Sequence, residues 1–489
     1  MIPKVRPKIE LLGKSFIEKI IQEALLLLEK EGVFIENEEA SRLLQDAGMN
    51  CDKGKKRFFI TRGLVQKCLD STPSSVSLFD RSGEKEFVLG RDNVHFDPGS
   101  AAVSVLDHKT RRQRIPVTRD LVRFSRLTDS LEHFHFQSTG IISSDVPDLI
   151  ADSYRLYIAL QFSAKPVITG TFRIEGFRPM LDMLLAVRGN AKNLAQKPLA
   201  IFDACPSPPL KWSNLTTQSL IDCAKNGIPS ELISMGLTGA TSPVTIGGTL
   251  VQHTAENLSG LVICQLAQKG APVIFGGSPS SFDMRRGTTP MGAIETMMID
   301  CAYSQIGKYL GLPTHAYMGL SDTKVNDSQA GLESGMGVLL AALAGINVVS
   351  GAGMMDFESC QSLEKLVIDH EICGMAYRLI QGIEQRDEPL ALNLFQGFTP
   401  ETQFLSMPHT RQWYRQEQFF PDIIDRDTYD TWVGKGEKDA SERARDRVED
   451  ILNNKPPNRI KEDIQKKLHG IMQTDASRNG LDSLPPADL

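Results

Sequence analysis

Cysteine pairs that could bind a structural metal or form a redox centre are missing from this sequence of 489 residues. Its eight cysteines are scattered and none stands in a CxxC pair, and a chain of this length needs no disulfide bonds to fold. We therefore expect reduced thiols and a cytoplasmic protein. The first residues, MIPKVRPKIELLGKS, also lack the apolar core of a signal peptide.

Positive charge is not in excess either. Lysine and arginine number 54 against 60 aspartates and glutamates, which gives a net charge of −6. Nucleic-acid binders usually show a basic footprint, so we expect no nucleic-acid partner. One long apolar stretch, Gly337 to Met355, contains Asn347 and Ser350. This pattern favours a buried helix that runs into a buried strand over a membrane span, and we expect no membrane partner.

Several common catalytic motifs are absent as well. The sequence contains no HExxH, P-loop or GxSxG motif. Its one HxH motif, His133 and His135, could supply two metal ligands. Packed histidines are the favoured interpretation, so we expect no protein-bound metal. A lyase that uses a Schiff base would need Lys324 or Lys165, and a solvated or ion-paired lysine is favoured for Lys324.

After residue 131 the sequence alternates short apolar runs with amphipathic stretches. This alternation predicts βαβ units and a parallel sheet. Eight such units favour closure into a (β/α)8 TIM barrel, with an open doubly wound sheet as the alternative. The predicted strands are His133 to Ser138, Pro166 to Thr169, Pro198 to Ala204, Leu232 to Met235, Pro272 to Phe275, Thr314 to Met318, Ile346 to Val349 and Leu390 to Phe395.

The regions before and after this alternation have a different composition. Residues 1–130 combine predicted helices with short β-like runs, which indicates an N-terminal α+β cap. Residues 401–489 are polar and charged and predict a C-terminal helical extension. The predicted fold is therefore of the α/β class, with a cap at 1–130, a barrel catalytic domain at 131–400 and the extension at 401–489.

Several long motifs stand out along the chain: CPSPPL from Cys205, GATSPVTIGGTLVQHTAENLSGLVICQLAQKGAPVIFG from Gly239, DMRRG from Asp283, SDTKVNDSQAGLES from Ser321 and FLSMPHT from Phe404. Together they resemble the trimethylamine methyltransferase family, in its branch that lacks pyrrolysine. The resemblance implies a TIM barrel that transfers a methyl group from a methylated amine to cob(I)alamin, carried on a separate corrinoid protein. Members without pyrrolysine resemble demethylases of quaternary amines such as glycine betaine, proline betaine, carnitine and γ-butyrobetaine.

One short stretch departs from the family pattern. Many members carry Gly-Gly-His before the Phe-Leu of the C-terminal motif, and this chain has Glu401, Thr402 and Gln403 there. Substrate choice or docking of the corrinoid protein is therefore expected to differ.

We also expect a homo-oligomer, since barrel enzymes often assemble through their outer helices. A quaternary-amine binding or sensing protein without catalysis is the alternative function.

The implied substrate is a bulky cation without hydrogen-bond donors, which aromatic faces attract through cation–π contacts. Ordinary packing is the alternative for each aromatic residue. The predicted cage residues are Phe96, Tyr317, Phe357, Phe395 and Phe398.

Charged residues near the same predicted strand ends complete the predicted site. Arg285, Arg286 and His409, together with His315, are candidates for binding a betaine carboxylate. The predicted catalytic residues are His315, Asp327 and Glu333, of which the two acids could offset the ammonium charge. The alternative for Asp327 is a cap at the start of the following helix.

Overall fold

Parallel strands form a closed ring at the centre of the computed structural model, which describes residues 5–52, 54–99 and 101–485. Neighbouring strands pair by ladders, and two single bridges, Phe275 with Thr314 and Phe96 with Phe134, complete the circle. The α/β class is confirmed. The ring strands are His95–Pro98, Gln137–Ser138, Val167–Thr169, Ala200–Ala204, Ser230–Ser234, Val273–Gly277, His315–Tyr317 and Val348–Ala352.

The predicted strand from Leu390 to Phe395 is wrong. That stretch is exposed and contains the 3₁₀ helix Leu392–Phe395. Its place in the ring is taken by His95–Pro98, a fully buried strand that pairs in parallel with Val348–Ala352. An apolar run signals burial against some surface and does not by itself specify a strand. The domain boundaries after residues 130 and 400 stay a prediction, and the ring takes one strand from residues 1–130.

Helices lie outside the ring and fill the regions before and after it. The amphipathic stretches between the ring strands form helices, and Thr61 caps the third helix of the chain by accepting the N–H of Leu64. The helices are α1 (Lys14–Lys30), α2 (Glu38–Asp46), α3 (Arg62–Ser71), α4 (Thr118–Ser130), α5 (Ala151–Phe162), α6 (Phe177–Arg188), α7 (Ala191–Gln196), α8 (Asn214–Asn226), α9 (Ile246–Ala267), α10 (Ile294–Tyr309), α11 (Ser328–Ala344), α12 (Leu363–Ile380), α13 (Pro408–Glu417), α14 (Tyr429–Gly434), α15 (Ala440–Asn454) and α16 (Glu462–Arg478).

Short strands outside the ring form several small sheets. They pair mostly as small antiparallel units next to the loops that they brace. Their bounds are Val33–Ile35, Asn50–Asp52, Arg57–Phe59, Val76–Phe79, Glu86–Leu89, Ser104–Leu106, Gln113–Arg114, Lys211–Trp212, Leu237–Thr238, Ser280–Ser281, Met354–Met355 and Cys360–Gln361.

One of these units, the hairpin Val76–Phe79 with Glu86–Leu89, plugs the amino end of the ring. Its inward side chains form a separate apolar cluster with residues that belong to, or directly precede, the amino-terminal halves of ring strands. Because this end is filled by apolar packing, a ligand can enter the ring only from the carboxyl end. The cluster consists of Val76, Leu78, Phe87, Leu89, Phe136, Ile168, Ile201, Ile274 and Val348.

The long apolar stretch from Gly337 to Met355 is the second half of α11 followed by the ring strand Val348–Ala352, as expected. Gly345 separates the two with a left-handed φ of 68°, a conformation that glycine adopts at little cost. In the part of the chain that the structure describes, none of the helices combines the length and apolar character that crossing a membrane requires.

Candidate active site

A cavity of about 420 Å³ opens at the carboxyl end of the ring. Each ring strand, or the loop after it, contributes to the wall, which is the usual place for barrel active sites. The volume suits a small-molecule ligand. We call this space the inner cavity; its lining is Ala101, Thr139, Arg155, Gly170, Thr171, Phe172, Asp203, Cys205, Thr216, Ser219, Ile233, Met235, Ser278, Tyr317, Phe357 and Glu358.

Three aromatic side chains line the inner cavity. Tyr317 ends the ring strand His315–Tyr317, and Phe172 and Phe357 lie on loops after two other strands. Phe357 also makes a cation–π contact within the protein, because Lys324 Nζ lies 3.9 Å from its ring centroid. The structure therefore brings two of the predicted cage residues, Tyr317 and Phe357, to one cavity.

Phe357 sits in a strained stretch of backbone. Asp356, Phe357 and Glu358 have φ values of 51°, 56° and 67°, a left-handed run of three residues that all carry side chains. Each such residue costs on the order of 1–2 kcal/mol relative to ordinary backbone conformations. Strain of this kind persists where surrounding contacts enforce it, and it is common at ligand-binding loops.

A buried ion pair supports the start of this loop. Lys365 Nζ donates to Asp369 Oδ2 and to Ser334 Oγ, both at 2.6 Å, with the lysine and aspartate side chains fully buried. The backbone N–H of Gly353 donates to the same Asp369 oxygen at 2.7 Å. Helices α11 and α12 are thus joined to the end of the ring strand that precedes Phe357.

Carboxyl groups accumulate in and below the inner cavity. Loss of contact with water, strengthened by nearby Asp203, raises the pKa of Glu358 to about 8. Burial likewise raises the pKa of Asp203 to about 7. Below them, burial raises the pKa values of Glu231 and Asp97 well above their ordinary range. A bound cation would favour the ionised forms of these groups, so the cavity is suited to a positive ligand.

A buried arginine from α5 stands beside these acids. Arg155 is nearly inaccessible to solvent, and its guanidinium lies 4.3 Å from the ring centroid of Phe172. Its Nη1 donates to the carbonyl of Thr139 at 2.9 Å, whereas its Nε has no hydrogen-bond partner among the residues that the structure describes. Burial lowers the pKa of Arg155 to about 10, so it is charged at neutral pH. An anionic group of a ligand would find a fixed donor here.

A second, more open space of about 860 Å³ adjoins the first, and Phe357 lines both. We call it the outer cavity. Arg285 and Arg286 line it and are strongly exposed, and each pairs with Asp283. Glu333 also lines it, accepting hydrogen bonds from Ser321 Oγ at 2.6 Å and the Asp322 N–H at 2.8 Å.

The comparisons with known proteins agree with this architecture. Residues 1–478 match the family model described as Trimethylamine methyltransferase (MTTB). The chain is 31% identical to the trimethylamine methyltransferase MttB of Desulfitobacterium hafniense (strain DSM 10664 / DCB-2) over 457 residues, covering 94% of this chain and 92% of that protein. The chain belongs to the trimethylamine methyltransferase family. The prediction that it is an enzyme, a methyltransferase, is confirmed.

One further relative and one solved structure add to these comparisons. The chain is 29% identical to the glycine betaine methyltransferase of Desulfitobacterium hafniense (strain Y51), over 95% of this chain and 97% of that protein. Its fold is similar to the crystal structure of the Methanosarcina barkeri monomethylamine methyltransferase, with a TM-score of 0.53 and 11% identity over 91% of this chain and 89% of that one. The likeness to the solved structure concerns the fold alone.

In this family member, the predicted catalytic residues lie apart. His315 is fully buried below the inner cavity, where its Nε2 lies 3.1 Å from Ser350 Oγ and 3.8 Å from Glu231 Oε2. Burial lowers the pKa of His315 to about 3, so the ring is neutral. Asp327 caps α11 by accepting the N–H of Gln329 at 2.9 Å, which is the alternative expected for it. Of the three, Glu333 is the one that lines the inner or the outer cavity.

Other predicted site residues lie outside both cavities. Phe96 packs against Tyr377 on the outside of the ring, because successive side chains of a strand point to opposite sides and its neighbour Asp97 points inward. Phe395 and Phe398 contact each other on an exposed segment. His409 pairs with Asp387 at 3.0 Å on the same segment. The prediction of Phe395 and Phe398 as site residues depended on the strand from Leu390 to Phe395, which the structure replaces by an exposed segment.

The structure also places the histidines that were considered as metal ligands and the lysine that was considered for a Schiff base. His133 stacks on His370 and His135 on Tyr377, and no group of three metal-ligating side chains occurs within residues 5–52, 54–99 and 101–485. Lys324 pairs with Asp356 at 3.2 Å, so it is the ion-paired lysine that the sequence favoured.

The three charged residues in the lining of the inner cavity, Arg155, Asp203 and Glu358, were not among the predicted site residues. Arg155 lies on α5, away from the predicted strand ends. A usable signal was present, since Arg155 is the one basic residue in the otherwise largely apolar sequence ADSYRLYIALQF. An arginine in a fully buried helix requires a polar or anionic neighbour.

Proposed function

We propose that this chain moves a methyl group from a quaternary amine to cob(I)alamin on a separate corrinoid protein and releases the tertiary amine. Glycine betaine is the proposed first substrate, with proline betaine, carnitine and γ-butyrobetaine as larger alternatives. The observation that carries the proposal is the inner cavity, in which aromatic faces and carboxyl groups stand beside one buried arginine. A relative named glycine betaine methyltransferase supports the substrate class.

The chemistry of a quaternary amine suits these residues. Its nitrogen already carries a full positive charge, so the tertiary amine leaves as a neutral molecule and needs no proton donor. A buried, neutral His315 is consistent with this. Tyr317, Phe172 and Phe357 would hold the trimethylammonium group by cation–π contacts, at about 0.5–2 kcal/mol each. Asp203 would offset its charge, and the closed amino end of the ring keeps bulk water out.

The outer cavity fits the approach of a corrinoid carried by another protein. It is open, it is larger than the inner cavity, and it shares Phe357 with it. Arg285 and Arg286 present exposed guanidinium donors that suit the amide carbonyls at the edge of a corrin ring. When docked, the corrinoid supplies the Co(I) nucleophile that accepts the methyl group. We propose that this chain contributes positioning and desolvation, and that its own residues form no covalent intermediate.

We propose a (β/α)8 barrel as the catalytic scaffold, with His95–Pro98 as the strand that closes it. The N-terminal cap, the barrel and the C-terminal extension remain the proposed parts, with boundaries near residues 130 and 400. The parallel ring and the plug at its amino end support this layout.

Arg155 gives a direct test of the carboxylate part of the proposal. We expect Arg155→Met to lower the affinity for glycine betaine by about tenfold or more, because a charge-assisted hydrogen bond to a buried ligand contributes roughly 1.5–3 kcal/mol. Affinity for tetramethylammonium, which has no carboxylate, should change little. Isothermal titration calorimetry with both ligands measures the difference. Equal losses for the two ligands would contradict a carboxylate contact at Arg155.

The raised pKa of Glu358 predicts a pH dependence of ligand binding. Below about pH 8 Glu358 holds a proton in the free protein, and a bound cation favours its ionised form. Binding therefore releases a proton, and the affinity for a quaternary amine should rise as the pH increases toward 8, by roughly tenfold between pH 6 and pH 8.5. Asp203, with its pKa raised to about 7, adds to the rise, and Arg155 stays charged throughout.

Calorimetry of the Glu358→Gln variant over the same pH range isolates this group. Glutamine keeps the shape of the side chain and does not titrate, so the rise above pH 7 should flatten and the remaining rise should follow Asp203. A Glu358→Gln profile that runs parallel to that of the unmodified protein would show that Glu358 does not face the bound cation.

A further inference from the structure

A segment that departs from the body of the protein carries an unusual amount of exposed apolar surface. It comprises residues 384–416, and we call it the arm. Its two 3₁₀ helices and α13 contain no buried residue. The large apolar side chains on it are between 39% and 85% exposed: Leu390, Leu392, Phe395, Phe398, Phe404 and Leu405.

The arm is held only at its base. Glu417 accepts hydrogen bonds from Arg386 Nε at 2.7 Å and, through its carbonyl, from Arg378 Nη2 at 2.9 Å, so the two ends of the arm are clamped together. Within the described residues, the hydrogen bonds of residues 387–416 stay inside the stretch 384–418. Its order comes from contacts of its own, such as the edge-to-face pairs of Phe395 with Phe398 and with Phe404.

The exposed apolar area of the arm is comparable in size with a protein interface. At roughly 200 Å² for a large apolar side chain, the exposed fractions on the arm amount to on the order of 700 Å². The largest apolar patch of a typical monomer is about 300–600 Å², and a standard interface buries about 800 Å² per partner. The arm alone therefore presents an area of the size that a stable dimer needs.

A groove of matching character lies at the base of the arm. It encloses about 990 Å³. Its apolar wall includes Val5, Met375, Leu379 and Ile383, and the last of these is 92% exposed. Arm and groove thus occur on the same chain as a protruding apolar element and an apolar recess, which is the arrangement that a two-fold symmetric contact requires.

The position of the arm separates it from the reaction. Tyr377 in the last turns of α12 donates to the carbonyl of Val94, directly before the ring strand His95–Pro98, so α12 ends at the amino end of the ring. The arm begins there, at the end opposite to the inner cavity. A corrinoid protein that delivers its cofactor must approach the carboxyl end, so it does not account for this surface.

We propose that the arm is an assembly element that seats in the groove of a second copy of this chain. Each copy of a two-fold dimer places the aromatic cluster around Phe395 and Phe398 against Met375 and Leu379 of the other. Two arms and two grooves are then covered at once, and the contact closes without leaving an unpaired end.

Light scattering coupled to size-exclusion chromatography of the purified chain tests the proposal. The unmodified protein should have at least twice the mass of a single chain of 54.0 kDa. Phe395→Ser with Phe398→Ser, and separately Leu405→Ser, should bring the mass to that of a single chain at the same concentration. Ile115→Ser is the matched control, because Ile115 is equally exposed and lies elsewhere, and it should keep the mass of the unmodified protein.

A mixing experiment tests the pairing of arm with groove. Leu379→Asp should also give single chains. Mixed with the Phe395→Ser, Phe398→Ser variant, it should form a dimer again, because one intact arm then faces one intact groove. A single-chain mass for the unmodified protein, or arm variants that keep its mass while their circular dichroism is unchanged, would overturn the proposal. Arm variants that alter only methyl transfer to the corrinoid protein would overturn it too and assign the arm to that partner.

Discussion

Replacing Tyr317 and Phe357 together with alanine is expected to lower the affinity for glycine betaine by about a hundredfold. Both side chains line the inner cavity, and removal of one desolvated cation–π contact costs up to about 2 kcal/mol, or more than tenfold in affinity. Isothermal titration calorimetry of Tyr317→Ala, Phe357→Ala and the double variant measures the losses. Tyr429→Ala is the control, since this exposed tyrosine lies far along the chain in α14.

Leucine variants separate aromatic attraction from the filling of space. Tyr317→Leu with Phe357→Leu retains most of the apolar volume and removes both π faces. If the trimethylammonium group is held by cation–π contacts, the leucine variant should lose nearly as much affinity as the alanine variant. Affinity close to that of the unmodified protein in the leucine variant would contradict an aromatic cage.

The second large effect concerns stability. Lys365→Met is expected to destabilise the protein by about 3–5 kcal/mol, because it leaves the buried carboxylate of Asp369 without its charged partner. Chemical denaturation followed by circular dichroism measures the shift. Lys435→Met is the control, since Lys435 forms an exposed ion pair with Asp427 and such pairs contribute about 1 kcal/mol or less.

The same pair offers an internal check. Lys365→Met combined with Asp369→Leu removes both charges, and most of the lost stability should return, since a buried ion pair replaced by apolar groups is often neutral. The Gly353 N–H then loses its acceptor, so ligand affinity should fall below that of the unmodified protein because the support of the strained loop at Phe357 is missing. A double variant that is as unstable as Lys365→Met would show that Asp369 matters for more than its charge.

Most of the ring could be predicted from the sequence because each strand there is a short apolar run between helical stretches. The strand His95–Pro98 escaped this pattern, since the residues that separate it from the next strand include the short strands Ser104–Leu106 and Gln113–Arg114 as well as α4. Its own sequence, HFDP, carries two polar residues that point into the ring. The stretch belongs to the short β-like runs of residues 1–130, and local periodicity does not show that such a run joins the ring.

The candidate site was predictable only in part, and for a similar reason. Tyr317 lies near the end of one predicted strand and Phe357 follows another, so their place at the carboxyl end could be inferred. Arg155 reaches the inner cavity from the side of a helix, and which helix residue points into a ring depends on packing angles that the sequence does not state. The apolar run around Phe395 fits the sequence pattern of a buried strand, but the structure places it on the exposed arm.

The most direct test of the central claim follows the absorption of cob(I)alamin over time in the presence of the purified protein and a series of betaines. The proposed function predicts conversion to methylcobalamin with a quaternary amine, glycine betaine first, and slower conversion by the Tyr317→Ala, Phe357→Ala variant. Tight binding of glycine betaine without conversion, with free cob(I)alamin and with the native corrinoid protein alike, would contradict methyl transfer from this substrate.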